Sequence, residues 1–291
     1  MSLLRTGLAL RDLFLPAGSL LPRDALAHLP RWLLSSRIRA RCQVAPLDAG
    51  TLLCRVYGRY KMLVDAADRG LSGGLLLDGS WELGTAQFLA RHLRPGQVAW
   101  DVGANLGCFT LLMADFVGRA GKVVALEPNP RMAQFCRQAI LLNGYHDRCR
   151  IEEAAASDRA GTLRFRDLPA DPKNAHVIPA GTPRDRVLGE YEVRGVPLDE
   201  VGERVDLLKI DVEGAEAEVW SGMQRLLDRN PTVCVLLEFN PLRLTDAAAL
   251  LRDIAGRFPL AELTRTGRTV PVTAETVLAR PRDTMLHLTR A

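Results

Sequence analysis

VAWDVGANLG, at residues 98–107, decides the fold assignment, because an apolar strand there leads through a glycine-containing loop into the start of a helix. The helix is predicted over about 105–117, and a second apolar run, KVVALE, follows at 122–127. The alternation continues in the order helix about 130–143, strand 150–155, strand 205–211, helix about 215–228, strand 232–239 and helix about 246–258. Strands that alternate with helices predict an α/β fold with a mostly parallel sheet and helices on both faces.

Residues 1–80 are predicted to form an N-terminal extension of helices and a β-hairpin, ahead of an α/β domain over 81–291. Leucine and arginine are interleaved in helix-like segments over about 1–45. The stretch TLLCRVYGRYKMLVDA (51–66) has the β-branched and aromatic residues of a hairpin, with Gly58 at its turn. Such an extension can cover the sheet as a cap or form the contact of a homodimer.

Charge and cysteine content argue against several classes of protein. The 38 basic and 34 acidic residues are interspersed, and no basic block indicates a nucleic-acid partner. No uncharged run approaches the roughly 18 residues that a membrane span requires. The six cysteines form no C-x-x-C pair, so neither a zinc site nor a disulfide framework is predicted. We therefore expect a protein of the reducing cytoplasm without a membrane span.

The loop DVGANLG, from Asp101 to Gly107, is the first candidate ligand site. Gly103 and Gly107 allow the backbone to approach a ligand, and the following helix offers free N–H groups at its start. Ala104 and Asn105 occupy the middle, so this is not the dinucleotide-binding G-x-G-x-x-G pattern. The loop suits a zwitterion with a carboxylate and an ammonium, with Asp101 either binding the ammonium or ordering the loop. Alone, a glycine after a strand can mean only a turn.

Two further signals favour an adenosine-containing cofactor. Glu127 ends the next strand, where an acidic side chain can accept both hydroxyls of a ribose. Ser157 and Asp158 follow the strand after that, where Asp158 can reach an adenine amino group. Asp158 can equally be a turn or capping residue. Together with the glycine loop, the acidic residue after the second strand favours cofactor binding over a purely structural role.

The block KIDVEGAE contains a polar constellation at the end of a strand. Alternation along VDLLKID places Lys209 and Asp211 on one face, at the edge where open α/β sheets bind ligands. A buried lysine must be paired, and Asp211, Glu213 or Glu238 can pair it. These residues form either a structural ion-pair network or part of a reaction centre. We favour the reaction centre, because Lys209 stands in a chain that uses arginine almost everywhere.

An irregular stretch at 167–190 is predicted to be a functional loop. His176 within it can act as a general base, or it can be an ordinary exposed histidine. A magnesium ion could be held by Asp211, Glu213 and Glu238. Lys209 competes for the same carboxylates, however, so the prediction is a site without a metal.

These motifs together resemble one family. DVGANLG, LEP, VPLDEV and LLKIDVEGAEAEVWSGM, in that order, are similar to the FkbM family of S-adenosylmethionine-dependent methyltransferases, and LLLDGSWE (75–82) resembles the segment before its cofactor loop. The similarity covers about residues 60–240, and KIDVEGAE is its most specific part. It implies a class I methyltransferase fold, which is Rossmann-like: a seven-stranded sheet in the order 3-2-1-4-5-7-6 with an antiparallel last strand. It also implies S-adenosylmethionine as cofactor and S-adenosylhomocysteine as product.

The resemblance implies roles for single positions. Those expected near the cofactor are Asp101, Gly103, Asn105 and Gly107 at its methionine part, Glu127 at the ribose, Asp158 near the adenine and Glu82 at the methionine end. Family members methylate hydroxyls of natural products and sugars, and some similar proteins methylate amide nitrogens in peptides.

We therefore predict an O-methyltransferase acting on a small molecule, natural product or sugar. Asp211 would be the base or acceptor anchor, Lys209 would orient the carboxylates, and Glu213 or Glu238 would complete the polar shell. The alternatives are an N-methyltransferase acting on peptide amide side chains and a non-catalytic scaffold of the same fold.

Overall fold

The computed structural model describes residues 19–68, 70–168, 171–178, 181–183 and 189–290. The predicted helical segments before residue 19 lie outside these ranges. Parts of the predicted functional loop at 167–190 lie outside them as well.

The described residues form the following strands: β1 (Val44–Pro46), β2 (Thr51–Val56), β3 (Tyr60–Asp65), β4 (Val98–Val102), β5 (Lys122–Leu126), β6 (Cys149–Glu152), β7 (Ala155–Ala156), β8 (Gly161–Arg166), β9 (His176–Val177), β10 (Glu190–Val196), β11 (Leu207–Ile210), β12 (Cys234–Phe239), β13 (Ala261–Leu263), β14 (Thr269–Pro271) and β15 (Thr284–Leu288). Their helices are α1 (Arg23–His28), α2 (Arg31–Arg39), α3 (Leu71–Asp78), α4 (Leu83–His92), α5 (Cys108–Val117), α6 (Pro130–Leu142), α7 (Leu198–Val201), α8 (Glu216–Ser221), α9 (Gln224–Arg229), α10 (Ala247–Arg257) and α11 (Ala274–Leu278).

A large mixed sheet has the spatial order β14-β13-β15-β12-β11-β4-β5-β6. The pairs from β6 to β12 are parallel, and β15 is antiparallel to β12. Counted from β6, the first seven strands follow the order 3-2-1-4-5-7-6 that the family resemblance implies. The short strand β14 adds an eighth at the edge, so the expected count of seven was wrong by one strand.

The sheet is covered on both faces, because neighbouring residues of its central strands point to opposite sides. Ala99 belongs to a core cluster packed with α4, α5 and α6, whereas Trp100 belongs to a second cluster packed with α8, α9 and α10. The pair Leu207 and Leu208 on β11 divides in the same way. This two-sided burial confirms the predicted α/β architecture.

Residues 19–80 pack onto the first of these faces. β1, β2 and β3 form a three-stranded antiparallel sheet, and Gly58 has a φ of 66° in the turn between β2 and β3. The Asn143 side chain at the end of α6 bonds the backbone of Lys61 on β3 in both directions, at 2.6 and 3.0 Å. Because the buried side chains of this region belong to the same core cluster as α4 and α5, the extension is joined to the sheet by continuous packing.

A smaller sheet in the order β7-β10-β8-β9 lies after β6 in the chain. Phe165 of β8 packs there with Ala155, Ala175 and Val193. In the part of the chain that the structure describes, no helix has the length and apolar character needed to cross a lipid bilayer.

Two glycines with similar backbone angles allow the close contact between β4 and β11 to be tested. Gly103 and Gly96 have φ values of 82° and 86°. A Cβ on Gly103 would lie 1.8 Å from the carbonyl oxygen of Asp211, whereas a Cβ on Gly96 would meet nothing within 4 Å. We expect Gly96→Ala to lower the free energy of unfolding by about 1–2 kcal/mol, the cost of the left-handed conformation.

Gly103→Ala should cost a further 1–3 kcal/mol or so, because the methyl group must displace backbone. Denaturant unfolding of both variants measures the difference. Equal losses would contradict the close packing of Gly103 against the Asp211 backbone.

Candidate functional site

A cavity of about 300 Å³ opens at the carboxyl ends of the central parallel strands. The ends of β4, β5, β11 and β12 each contribute lining residues, because parallel strands end at the same edge of a sheet. The segment around Trp81 and the smaller sheet close its sides. Of the predicted site residues, the cavity is lined by Glu82, Gly103, Ala104, Asn105, Glu127, Lys209, Asp211, Glu213 and Glu238.

Glu127 is fixed in orientation by the backbone. The N–H of Asn105 donates to its Oε2 at 2.7 Å, and the N–H of Asn129 donates to its Oε1 at 2.8 Å. Burial raises the pKa of Glu127 to about 7, although the two backbone hydrogen bonds oppose the rise. Since a carboxylate has about four acceptor positions, two remain for a ligand.

The wall next to Glu127 is apolar. Ala154, Ala155 and Ala156 line it together with Phe165 and Val177. This wall could pack against a flat aromatic ring.

Ser157 and Asp158, which were predicted at this position, lie outside the cavity lining. The Ser157 hydroxyl donates to Asp158 Oδ1 at 3.1 Å, and Arg159 pairs with the same carboxylate at 3.5 Å. These contacts match the alternative in which Asp158 is a turn residue. The apolar wall formed by Ala154, Ala155 and Ala156 is the feature that the sequence did not predict.

Lys209 is buried at the centre of the site, with 1% of its side chain exposed. Its Nζ lies 3.0 Å from Asp211 Oδ2 and 4.9 Å from the centre of the Phe109 ring. Burial alone would lower the pKa of Lys209, but the carboxylates of Asp211, Asp101 and Glu82 raise it above its ordinary value. Lys209 is therefore a permanent cation at neutral pH.

Asp211 stays ionised because of this cation. Burial would raise its pKa, but the charge of Lys209, the hydrogen bonds from Lys209 and Glu238 and the charge of Arg243 lower it below its ordinary value. Its side chain is 21% exposed. The site thus offers a charged carboxylate to the cavity.

Glu82 reaches the cavity from the start of α4, just after the extension. It precedes α4 with a φ of 38°, and the Thr85 hydroxyl donates to its Oε2 at 3.1 Å. The buried Tyr57 hydroxyl donates to the carbonyl of the preceding residue, Trp81, at 2.6 Å. Burial and the nearby charge of Asp211 raise the pKa of Glu82. The hairpin therefore helps to place a carboxylate near Lys209.

Three acids and one arginine form the other end of the cavity. Carboxylate oxygens of Asp211, Glu213 and Glu238 lie within 4.8 Å of one another, the one such set among the described residues. Burial and repulsion from Asp211 and Glu213 raise the pKa of Glu238 to about 10. Arg243 Nη1 lies 2.6 Å from Glu213, 3.2 Å from Glu238 and 3.2 Å from Asp283. Cations of the chain, Lys209 and Arg243, thus already contact all three acids.

Arg243 and Asp283 were absent from the sequence-based set. Asp283 immediately precedes β15. Because β15 is antiparallel to β12, its beginning lies at the edge where β12 ends. The predicted antiparallel last strand was the signal that could have located Asp283, whereas nothing local in the sequence marks Arg243.

Three predicted residues serve other contacts in this structure. Asp101 is fully buried and accepts a 2.6 Å hydrogen bond from the Thr110 hydroxyl, so it orders the start of α5 rather than lining the cavity. A Cβ on Gly107 would lie 2.5 Å from Cys136 Sγ, so this glycine allows close packing of α5 against α6. His176 lies on β9, and its Nδ1 is 3.0 Å from the carbonyl oxygen of Asn174; it does not line the cavity.

Comparison with known proteins identifies a family. The model of the methyltransferase FkbM domain matches residues 101–258. The 2-O-methyltransferase NoeI of Sinorhizobium fredii (strain NBRC 101917 / NGR234) is 30% identical over 186 residues, which cover 58% of this chain and 74% of that protein. The 31-O-demethyl-FK506 methyltransferase FkbM of Streptomyces tacrolimicus is 30% identical over 178 residues, covering 49% and 66%. Methyltransferase sdnD of Sordaria araneosa is 32% identical over 154 residues, covering 42% and 59%. The chain thus spans less than two thirds of the last two relatives.

Solved structures resemble the chain more distantly. A putative O-methyltransferase from Klebsiella pneumoniae has a TM-score of 0.43 and 15% identity, covering 71% of this chain and 80% of that one. An O-methyltransferase from Thermotoga maritima has a TM-score of 0.40 and 13% identity, covering 91% and 98%. The fold assignment rests on the strand order of this chain.

Lys209→Met tests whether the buried ammonium stabilises the site. The substitution leaves the buried Asp101 and the partly buried Asp211 without their common counter-charge, at an expected cost of about 3–5 kcal/mol in unfolding free energy. Lys61→Met, at an exposed position of β3, is the matched control and should change stability by no more than about 0.5 kcal/mol. Thermal and denaturant unfolding give both values. A Lys209→Met protein as stable as the control would show that Lys209 does not balance these acids.

Proposed function

Because the chain belongs to the FkbM methyltransferase family of S-adenosylmethionine-dependent enzymes, we propose that it transfers the methyl group of S-adenosylmethionine to a hydroxyl of a small molecule, natural product or sugar. The observation that carries the proposal is the 3.0 Å contact between Asp211 and the buried ammonium of Lys209, both of which line a cavity of about 300 Å³. The names of two relatives, a 2-O-methyltransferase and a 31-O-demethyl-FK506 methyltransferase, support an oxygen acceptor.

The residues present fit the cofactor. Glu127 has free acceptor positions for the ribose hydroxyls, and the alanine wall with Phe165 would pack against the adenine. Glu82 offers a carboxylate to the ammonium of the methionine part, while Gly103 and Asn105 bring backbone close to it. When bound, the cofactor supplies a methyl group on a positively charged sulfur, ready for in-line displacement.

Asp211 would receive the proton of the acceptor. Its lowered pKa makes it a weak base, but a weak base is sufficient if the proton leaves late, because an oxygen that has gained a methyl group is strongly acidic. Lys209 keeps Asp211 charged and fixes its orientation through the 3.0 Å contact. Alignment of the acceptor oxygen with the methyl group supplies most of the remaining rate enhancement.

The same argument disfavours the alternative acceptor. An amide nitrogen must lose its proton before it becomes an effective nucleophile, which needs a stronger base than a carboxylate with a lowered pKa. We therefore favour oxygen over the amide side chains of peptides.

The cytoplasmic location, the homodimer and the role of residues 1–80 as a cap remain predictions.

Asp211→Asn tests the proposed base. Turnover should fall by about 10²–10⁴-fold, the usual loss when acid–base help is removed, while the affinity for S-adenosylhomocysteine should change little. Asp147→Asn, at an exposed position outside the cavity lining, is the control and should keep full turnover. The assay follows labelled methyl transfer to parallel panels of hydroxyl and amide acceptors.

Transfer to amides alone would overturn the proposed acceptor. Wild-type turnover in Asp211→Asn would exclude Asp211 as the base and make Glu213, which lines the same cavity, the next residue to replace.

Glu127 predicts a pH dependence of cofactor binding. Because burial raises its pKa to about 7, the carboxylate that accepts the ribose hydroxyls is mostly protonated at pH 6 and mostly ionised at pH 8. S-adenosylhomocysteine should therefore bind about tenfold more weakly at pH 6 than at pH 8. Calorimetry on the wild type and on Glu127→Gln separates this effect from other titrations. An equal pH dependence in both proteins would remove Glu127 from the binding site.

A further inference from the structure

One nitrogen atom of Arg243 contacts three carboxylates from three parts of the chain. Nη1 lies 2.6 Å from Glu213, which follows β11, 3.2 Å from Glu238 on β12, and 3.2 Å from Asp283, which precedes β15. The Arg243 side chain is 30% exposed and lines the cavity. The three acids therefore share a single positive centre, and Asp283 also accepts a 2.7 Å hydrogen bond from the Asn240 side chain.

This arrangement resembles the coordination of a cation. Oxygen ligands of a calcium ion lie 2.3–2.6 Å or so from the metal, so ligands on opposite sides are about 5 Å apart. Carboxylate oxygens of Asp211, Glu213 and Glu238 satisfy that spacing, since they lie within 4.8 Å of one another. Two of these three acids are direct partners of the guanidinium.

These acids lie in a partly buried space, since the side chains of Glu213 and Glu238 are only 17% and 12% exposed. Lys209 contacts Asp211, whereas Arg243 contacts Glu213, Glu238 and Asp283. A guanidinium does not lose its proton at any pH at which proteins are folded, and a divalent ion beside it would meet like-charge repulsion.

We propose that the Arg243 guanidinium is the built-in cation of this site: it occupies the place a divalent metal ion would take, positions Glu213, Glu238 and Asp283, and keeps metal ions out. Arg243 is thus a positioning residue. The inference goes beyond the proposed function, because it concerns cation occupancy and holds whatever acceptor is methylated.

Terbium luminescence tests this directly, since Trp81 lines the same cavity and can sensitise a bound Tb³⁺ ion. Arg243→Gln removes the charge and keeps a polar side chain. The matched control is Arg119→Gln, at an exposed position between α5 and β5, at the opposite edge of the sheet. We expect saturable Tb³⁺ binding in Arg243→Gln, displaced by Ca²⁺ or Mn²⁺, with an affinity at least about tenfold higher than in the wild type or the control.

Arg243→Lys provides the second measurement. It retains a positive charge and should bind Tb³⁺ as weakly as the wild type. If Arg243→Gln folds only when Mn²⁺ is added, as followed by its melting temperature, the metal has replaced the guanidinium and the proposal is supported.

Two results would overturn the proposal. One is Tb³⁺ binding by the wild type as tight as by Arg243→Gln. The other is an Arg243→Gln protein that gains neither Tb³⁺ binding nor thermal stability from Mn²⁺. Neither readout depends on methyl transfer, so failure here and failure of the proposed function are distinguishable.

Discussion

The ammonium group of Lys209 is buried inside the sheet, and its charge has to be balanced by carboxylates that the fold brings to it. In the parallel pairing of β11 with β4, Lys209 lies opposite Asp101, and Asp211 follows it on the same face of its own strand. A third carboxylate, Glu82, comes from the residue that precedes α4. Since an unpaired charge at this depth would cost several kcal/mol, the arrangement links the register of the central strands to the geometry of the cavity.

The two ends of the cavity differ in character, and Lys209 lies between them. At one end Glu127 is held by backbone N–H groups next to an apolar wall, which suits a nucleoside. At the other end Asp211, Glu213 and Glu238 are held by Lys209 and Arg243, which suits a polar reacting group. Lys209 lies between them and keeps Asp211 ionised beside acids whose pKa is raised.

The extension takes part in this site as well as in the core. Tyr57, in the turn between β2 and β3, holds the carbonyl of Trp81, and Glu82 follows in a left-handed conformation that directs it towards the cavity. Lys173 lies 6.0 Å from the centre of the Trp81 ring, on the same side of the cavity. Residues on both sides of position 80 therefore contribute to one cavity.

The sequence by itself determined the alternation of strands and helices, the loop after β4 and the positions of Glu127, Lys209 and Asp211. These features depend on periodicity and on residues adjacent in the chain. The three side chains lie near one another because parallel strands end at the same edge of a sheet. Only the tertiary structure decided that Asp101 bonds Thr110 and that Ala154–Ala156 rather than Ser157 and Asp158 line the wall. It also decided that Arg243 contacts acids from three parts of the chain. Those outcomes depend on where loops from distant parts of the chain meet, and a guanidinium shows its partners only once packing has fixed which carboxylates lie within its reach.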